Sequence, residues 1–209
     1  MMSLHSRIPG HSLERLAALS DGIFSVAMTL LVLDLRVPLA ATVHSNYDLA
    51  HALAAVWPQF LMYAMSFLGL GLAWAAQQTE MSWMARSHRD LAWIQILFLF
   101  GVTMTPFSTR LLSEFHGYRL AFLFYWVNIF SLGLLLYFGW LCAIRLKLLK
   151  EDIPAEVPLE IRRRFFTSEG LYAFGAALCL ISTYLSIAFM LLVQLHYAVA
   201  PSLRRESKP

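Results

Sequence analysis

The chain is expected to be an all-α integral membrane protein, and three observations lead there. Hydrophobic residues make up 59% of the 209 positions and charged residues 14%. A soluble domain is about 45–50% apolar and about 25% charged. The mean hydropathy is +0.61. The apolar residues fall into long runs separated by polar links, and the Lys and Arg sit in those links. This charge is too sparse to cover a water-facing surface, which argues against a soluble enzyme, a nucleic-acid module and a disordered chain. The net charge is +3 and the pI about 9.0, a basicity that loop-borne Lys and Arg explain without nucleic acid.

A helix crosses about 30 Å of hydrocarbon with about 20 mostly apolar residues. The first such run is about 13–37, ended by Pro38. A polar stretch leads to the second, about 52–76, with Pro58 near its start, where proline costs least. The third is about 91–109, and Pro106 near its end is a point of interest. The fourth, about 118–144, is the longest. A charged link with Pro154 and Pro158 follows. The remaining apolar stretch, about 171–200, is long for one span and short for two, with a weak polar break at Ser182, Thr183 and Tyr184. Read as a hairpin, it gives spans of about 163–182 and 184–200.

Charge arbitrates between five spans and six, because cytoplasmic links carry the Lys/Arg excess. With the N-terminus inside, the inner links hold Arg7, Arg15, Arg86, Arg89, Arg145, Lys147, Lys150, Arg162, Arg163, Arg164, Arg204, Arg205 and Lys208. Only Arg36, Arg110 and Arg119 of the 16 basic residues fall outside. The basic tail joins the N-terminus inside only if the number of spans is even, so six is the expectation. Residues 1–209 then form one six-helix domain in the cell membrane, with both termini cytoplasmic. No secretory signal is expected, since the first apolar run starts late and carries Asp21. Cys142 and Cys179 lie within apolar runs, which argues against a disulfide framework.

Catalytic motifs are absent. There is no HExxH, no GxSxG and no phosphate-binding GxxxxGK[ST]. His88-Arg89-Asp90 matches a kinase triplet by letters alone. His196, in the last span, is either a proton site or an ordinary helix-end histidine. The carbonyl filter sequence TVGYG is missing. No catalytic residue, metal site or cofactor is expected.

The first span is unusual because it carries ionisable groups, which cost roughly 2.5–3.5 kcal/mol at the centre of a membrane helix. Asp34 and Arg36 lie near its outer end and can snorkel. Asp21 is deeper. A capping role for Ser20 and Asp21 would leave only residues 22–33 uncharged, too short to cross. On a wheel of about 100° per residue with Val26 at zero, Leu30 falls at about 40°, Leu33 at about 340° and Thr29 at about 300°. Leu19 and Val37 fall at about 20° and Arg15 at about 340°. Ser20, Asp21 and Ser25 fall at about 120°, 220° and 260°. One stripe of branched aliphatics with a hydroxyl beside it thus lies apart from Asp21. That stripe suits helix packing or a pore wall. Asp21 is expected to face neighbouring helices, and the Arg86–Asp90 link is a candidate source of its partner.

At this point the first span resembles the transmembrane-protein-175 family, the endosomal–lysosomal potassium channels and their bacterial homologues. The signature is Arg-x-x-x-Phe-Ser-Asp followed by Gly, Phe and a Leu/Ile/Thr run before Pro. Arg15, Ser20, Asp21, Gly22, Phe24, Thr29, Leu30, Leu31, Leu33 and Pro38 match it; Leu19 stands where the family has Phe. The resemblance implies six helices per chain, a homotetramer and a central pore lined by the first helix. It maps the constriction to Val26, Leu30 and Leu33, a polar selectivity position to Thr29, and structural bracing to Arg15, Ser20 and Asp21. The implied function is a potassium-permeable cation channel, partnered by monovalent cations and the lipid bilayer. A secondary transporter or proton-coupled carrier is the alternative. Neither a clear inverted repeat nor a helix broken at the midplane supports it.

Overall fold

The computed structural model describes residues 11–205, and every regular element in them is helical. Helix α1 is His11–Leu30, α2 Asn46–Ala55, α3 Trp57–Ser82, α4 Arg89–Glu114, α5 Arg119–Arg145, α6 Val157–Ala177 and α7 Thr183–Arg205. Among the described residues four segments are long and apolar enough to cross a membrane: Leu13–Asp34, Trp57–Ser82, Arg89–Glu114 and Arg119–Arg145. In α7 the stretch Thr183–Val199 is apolar but shorter. The positions expected for Arg7 and Lys208 lie outside the described residues.

Local chemistry sets the ends. Ser45 caps α2, its hydroxyl accepting the Asp48 N–H at 3.1 Å. Pro58 sits in the first turn of α3, where its missing N–H has no intrahelical partner to lose. The His88 ring caps α4, its Nδ1 accepting the Asp90 N–H at 3.2 Å. His88 and Asp90 therefore have a structural task. Helix α4 runs straight through Pro106 to Glu114 rather than stopping near Thr109. Hydroxyls of Thr105 and Ser108 bond to the carbonyls of Gly101 and Thr105, at 3.3 and 2.9 Å.

Two further boundaries differ from the hydropathy reading. The second apolar run is two helices: α2 ends at Ala55, and α3 extends through Gln77, Gln78 and Glu80 to Ser82. The charged link after α5 is shorter than its composition suggests, because Val157 and Pro158 start α6 ahead of Arg162, Arg163 and Arg164. Those arginines ride on the first turns of α6. A 3-10 turn, Leu178–Leu180, then reverses the chain into α7.

Helices α4 and α5 form a tight antiparallel hairpin, with α1 against α4 and α3, and α6 and α7 against α5 and α3. The common core includes Phe24, Leu31, Met65, Leu70, Phe98, Phe122, Tyr125 and Met190. Its polar members bond to one another: the Ser66 hydroxyl donates to Tyr125 Oη at 3.3 Å, and the Asn128 amide to Thr105 Oγ1 at 3.0 Å. At one end of the bundle the α3–α4 and α5–α6 connections zip together through an antiparallel bridge between Met84 and Leu149. The N–H groups of Ala85 and Lys150 reach the carbonyls of Leu148 and Trp83 at 2.8 and 3.0 Å. Lys147 turns that corner at φ 54.

Candidate pore-lining helix and its brace

Helix α1 has two opposite faces. Leu16, Ser20, Phe24, Ala27 and Leu31 recur at helical spacing and are buried against α3 and α4. On the other side Val26, Leu30 and Leu33 are 58%, 44% and 74% exposed. Thr29 is exposed beside them. Its hydroxyl shares its proton between the carbonyls of Ser25 and Val26, at 2.9 and 2.8 Å. Such back-bonding bends helices, and two residues later α1 tightens into a 3-10 turn, Leu31–Asp34. In a 3-10 turn residues i and i+3 eclipse, so Leu33 stands over Leu30 more directly than a uniform α-helix would place it. The helical path ends at Leu35, whose backbone is extended, ahead of Pro38. Val37 is therefore off the stripe to which the wheel assigned it.

The brace runs from the buried Ser20 to the exposed Asp21. Ser20 donates to Gln77 of α3. The Gln77 amide in turn donates to Gln95 Oε1 of α4 at 2.8 Å. At the next residue, Asp21 Oδ1 accepts from Trp74 Nε1 at 2.8 Å and from Gln78 Nε2 at 2.7 Å. Trp74, Gln77 and Gln78 share a face of α3, being three and four residues apart. The Asp21 partners thus come from α3 rather than from the Arg86–Asp90 link. Arg86 instead donates to the Lys147 carbonyl at 3.1 Å, and Asp90 lies 3.6 Å from His88. Arg15 is exposed, with no ion pair to a described residue.

The three α3 partners escape a reading by hydropathy, because Gln77 and Gln78 look like the start of a polar link. Their signal is weaker: two adjacent amides, with an indole four residues before the second. At the far end of α1, Asp34 and Arg36 do more than snorkel. Asp34 lies 4.0 Å from Arg110, while Arg36 and Arg110 both pair with Glu114 of α4, the latter at 3.3 Å. His196 is exposed on α7, with Tyr197 edge-on to it.

The fold and this helix define an all-helical membrane protein, its first helix bonded to its neighbours along one edge and apolar but uncovered along the other. Comparison with known proteins gives the kinship. The family described as "Endosomal/lysosomal potassium channel TMEM175" matches residues 15–106. A potassium channel of Chamaesiphon minutus is 30% identical over 190 residues, 88% of this chain and 93% of that one. A potassium channel of Streptomyces collinus is 40% identical over 101 residues, and the match spans 48% of each chain. The human endosomal/lysosomal proton channel TMEM175 is 33% identical over 109 residues, 50% of this chain and 22% of that protein. The crystal structure of a lysosomal potassium-selective channel TMEM175 homolog from Chamaesiphon minutus superposes with a TM-score of 0.77. It has 27% identity and covers 91% of this chain and 98% of that one. The chain belongs to the TMEM175 family. That places it among ion channels rather than enzymes.

Proposed function

We propose that the chain forms a potassium-permeable cation channel, a homotetramer whose central pore is lined by α1. The observation that carries this reading is the division of α1 into a braced face and an uncovered aliphatic one. Around a fourfold axis Val26, Leu30 and Leu33 each become a ring of four. Narrow aliphatic rings shed water, so an ion loses part of its hydration to pass. K+ holds its hydration less tightly than Na+, so the barrier favours K+, though loosely. Thr29 has its hydroxyl proton engaged by backbone carbonyls, which leaves oxygen lone pairs for a passing cation. Kinship with bacterial proteins named potassium channels supports the same reading. The permeant ion is K+, with no cofactor.

Six crossings fit this assembly: the four long apolar segments plus α6 and α7, whose 21 and 23 residues each reach about 30 Å at about 1.5 Å per residue. An even number returns both termini to one side. Arg86, Arg145, Lys147 and Lys150 cluster at the zipped end of the bundle, which the positive-inside rule assigns to the cytoplasm of a cell membrane.

The test is ion flux from liposomes holding the purified protein, driven by a K+ gradient and compared with Na+. Faster K+ flux without a coupling ion is expected, together with a tetramer by cross-linking. Flux that requires a second ion gradient would establish a carrier. Silence in an intact tetramer, persisting in Leu30→Ala, would remove the channel reading.

A further inference from the structure

A cavity of about 140 Å³ lies between α3, α5, α6 and the end of α7, and none of the described α1 residues is on its wall. Most of that wall is apolar: Leu72, Ala73 and Ala76 of α3, Leu132 and Leu136 of α5, and Phe165 of α6. An engineered apolar cavity of about 150 Å³ takes up benzene, so a single six-membered ring fits a chamber of this size.

Two carboxyl groups interrupt the apolar wall, and their surroundings differ. Oε2 of each lacks a hydrogen-bond partner among the described residues. Glu80 of α3 has the Arg164 guanidinium, on the same lining, as its electrostatic neighbour. Glu169 of α6 is 9% exposed and forms no ion pair with a described residue. Its carboxyl is seated against Gly133 of α5, so closely that a Cβ there would overlap its Oε1. The unpartnered oxygen is the other one. A buried polar atom in that position is costly until a hydrogen-bonding group meets it.

We propose that this chamber binds a small neutral phenol, with its ring in the apolar body and its hydroxyl on Glu169 Oε2. A phenol hydroxyl both donates and accepts, so it answers a carboxylate as donor and a carboxylic acid as acceptor. It brings no charge, and so none of the cost of stripping an ion of water against apolar walls. A ring suits the chamber better than a chain, because Tyr137 and Phe165, parallel at 4.1 Å between centroids, put aromatic surface on the wall. The inference does not depend on the channel reading, because the chamber lies behind α3 rather than on the exposed face of α1.

The experiment uses the purified full chain in detergent micelles, with protein-free micelles as the blank for partitioning. Fluorine NMR follows binding of para-fluorophenol and of para-fluorotoluene, in which a methyl group replaces the hydroxyl. Saturable binding at one per chain is expected, with the phenol about fivefold tighter, the worth of one net hydrogen bond. Glu169→Leu keeps the bulk and removes the oxygens, so the phenol loses its advantage while the toluene still binds. Ala73→Leu fills the chamber and abolishes binding of both. Leu30→Ala, on the α1 face, changes neither. Equal affinity for the two probes in the unaltered chain would mean that Oε2 does not take the hydroxyl, and the proposal would be wrong. A phenol preference that survives Glu169→Leu, or binding that survives Ala73→Leu, would place the phenol elsewhere and overturn it too. Should a variant fail to fold, Overhauser contacts from the fluorine to labelled Ala73 and Ala76 methyl groups in the unaltered chain locate the ring, and their absence refutes the site.

Discussion

Replacing Asp21 by alanine removes the acceptor that Trp74 and Gln78 share, and its effect can be worked from the two bonds at 2.8 and 2.7 Å. Side-chain hydrogen bonds between membrane helices are worth about 0.6 kcal/mol on average and up to about 1.7. The carboxylate is ionic, which puts these two in the upper half of that range. Asp21→Ala should therefore cost about 2–3 kcal/mol. Asp21→Asn keeps an oxygen in place and loses only the charge, for about 1 kcal/mol. Trp74→Phe removes one donor and leaves Gln78, again about 1 kcal/mol. Because Asp21 and Trp74 touch, the Asp21→Asn and Trp74→Phe losses should not add, with a coupling of about 0.5–1 kcal/mol. The assay is reversible unfolding of the purified protein in mixed micelles, with the assembled fraction followed by size-exclusion chromatography. Flux is measured on the assembled fraction alone. Asp21→Ala with unchanged stability and a normal oligomer, but altered conduction, would refute the brace and make Asp21 part of the ion path.

Three other outcomes follow from different parts of the molecule. Leu30→Ala removes the largest part of a proposed ring of four, so per-channel conductance should rise and K+ over Na+ preference should fall in liposome flux; unchanged currents count against the α1 pore. Glu114→Gln breaks the pairs with Arg36 and Arg110, and since the Arg36 and Arg110 side chains are 65% and 61% exposed, the loss should be under about 1 kcal/mol and should shrink in high salt. Gly101→Ala brings a Cβ to 2.8 Å from Leu132 Cδ2 at the α4–α5 contact. Leu132 must change rotamer, so destabilisation of about 1–3 kcal/mol is expected by unfolding.

Much of α1 was legible because its chemistry is local. A run of aliphatics interrupted by Ser20 and Asp21 marks both a membrane helix and its exception. The period of the run separates the Val26–Leu30 side from the buried one without knowledge of any neighbour. The departures have specific causes. Thr29 turns its hydroxyl onto its own backbone and the helix tightens after it, which a uniform 100° wheel does not anticipate. Gln77, Gln78 and Glu80 read as a link because hydropathy averages a window, whereas in α3 each polar group has its own neighbours on other helices. Arg162, Arg163 and Arg164 read as solvated loop for the same reason, although they occupy the first turns of α6.

The sequence by itself determined the solvent this protein folds in, the rough place of its apolar runs and the faces of its first helix. All of these depend on composition and on spacing along one chain. The partners of Asp21 and the chain of bonds from Ser20 through Gln77 to Gln95 were decided only in three dimensions. Ser20 and Gln77 are separated by 57 positions. Whether such groups meet depends on how helices rotate and slide against one another, and that is set by the fit of buried side chains such as Phe24, Phe98 and Tyr125 rather than by any local pattern.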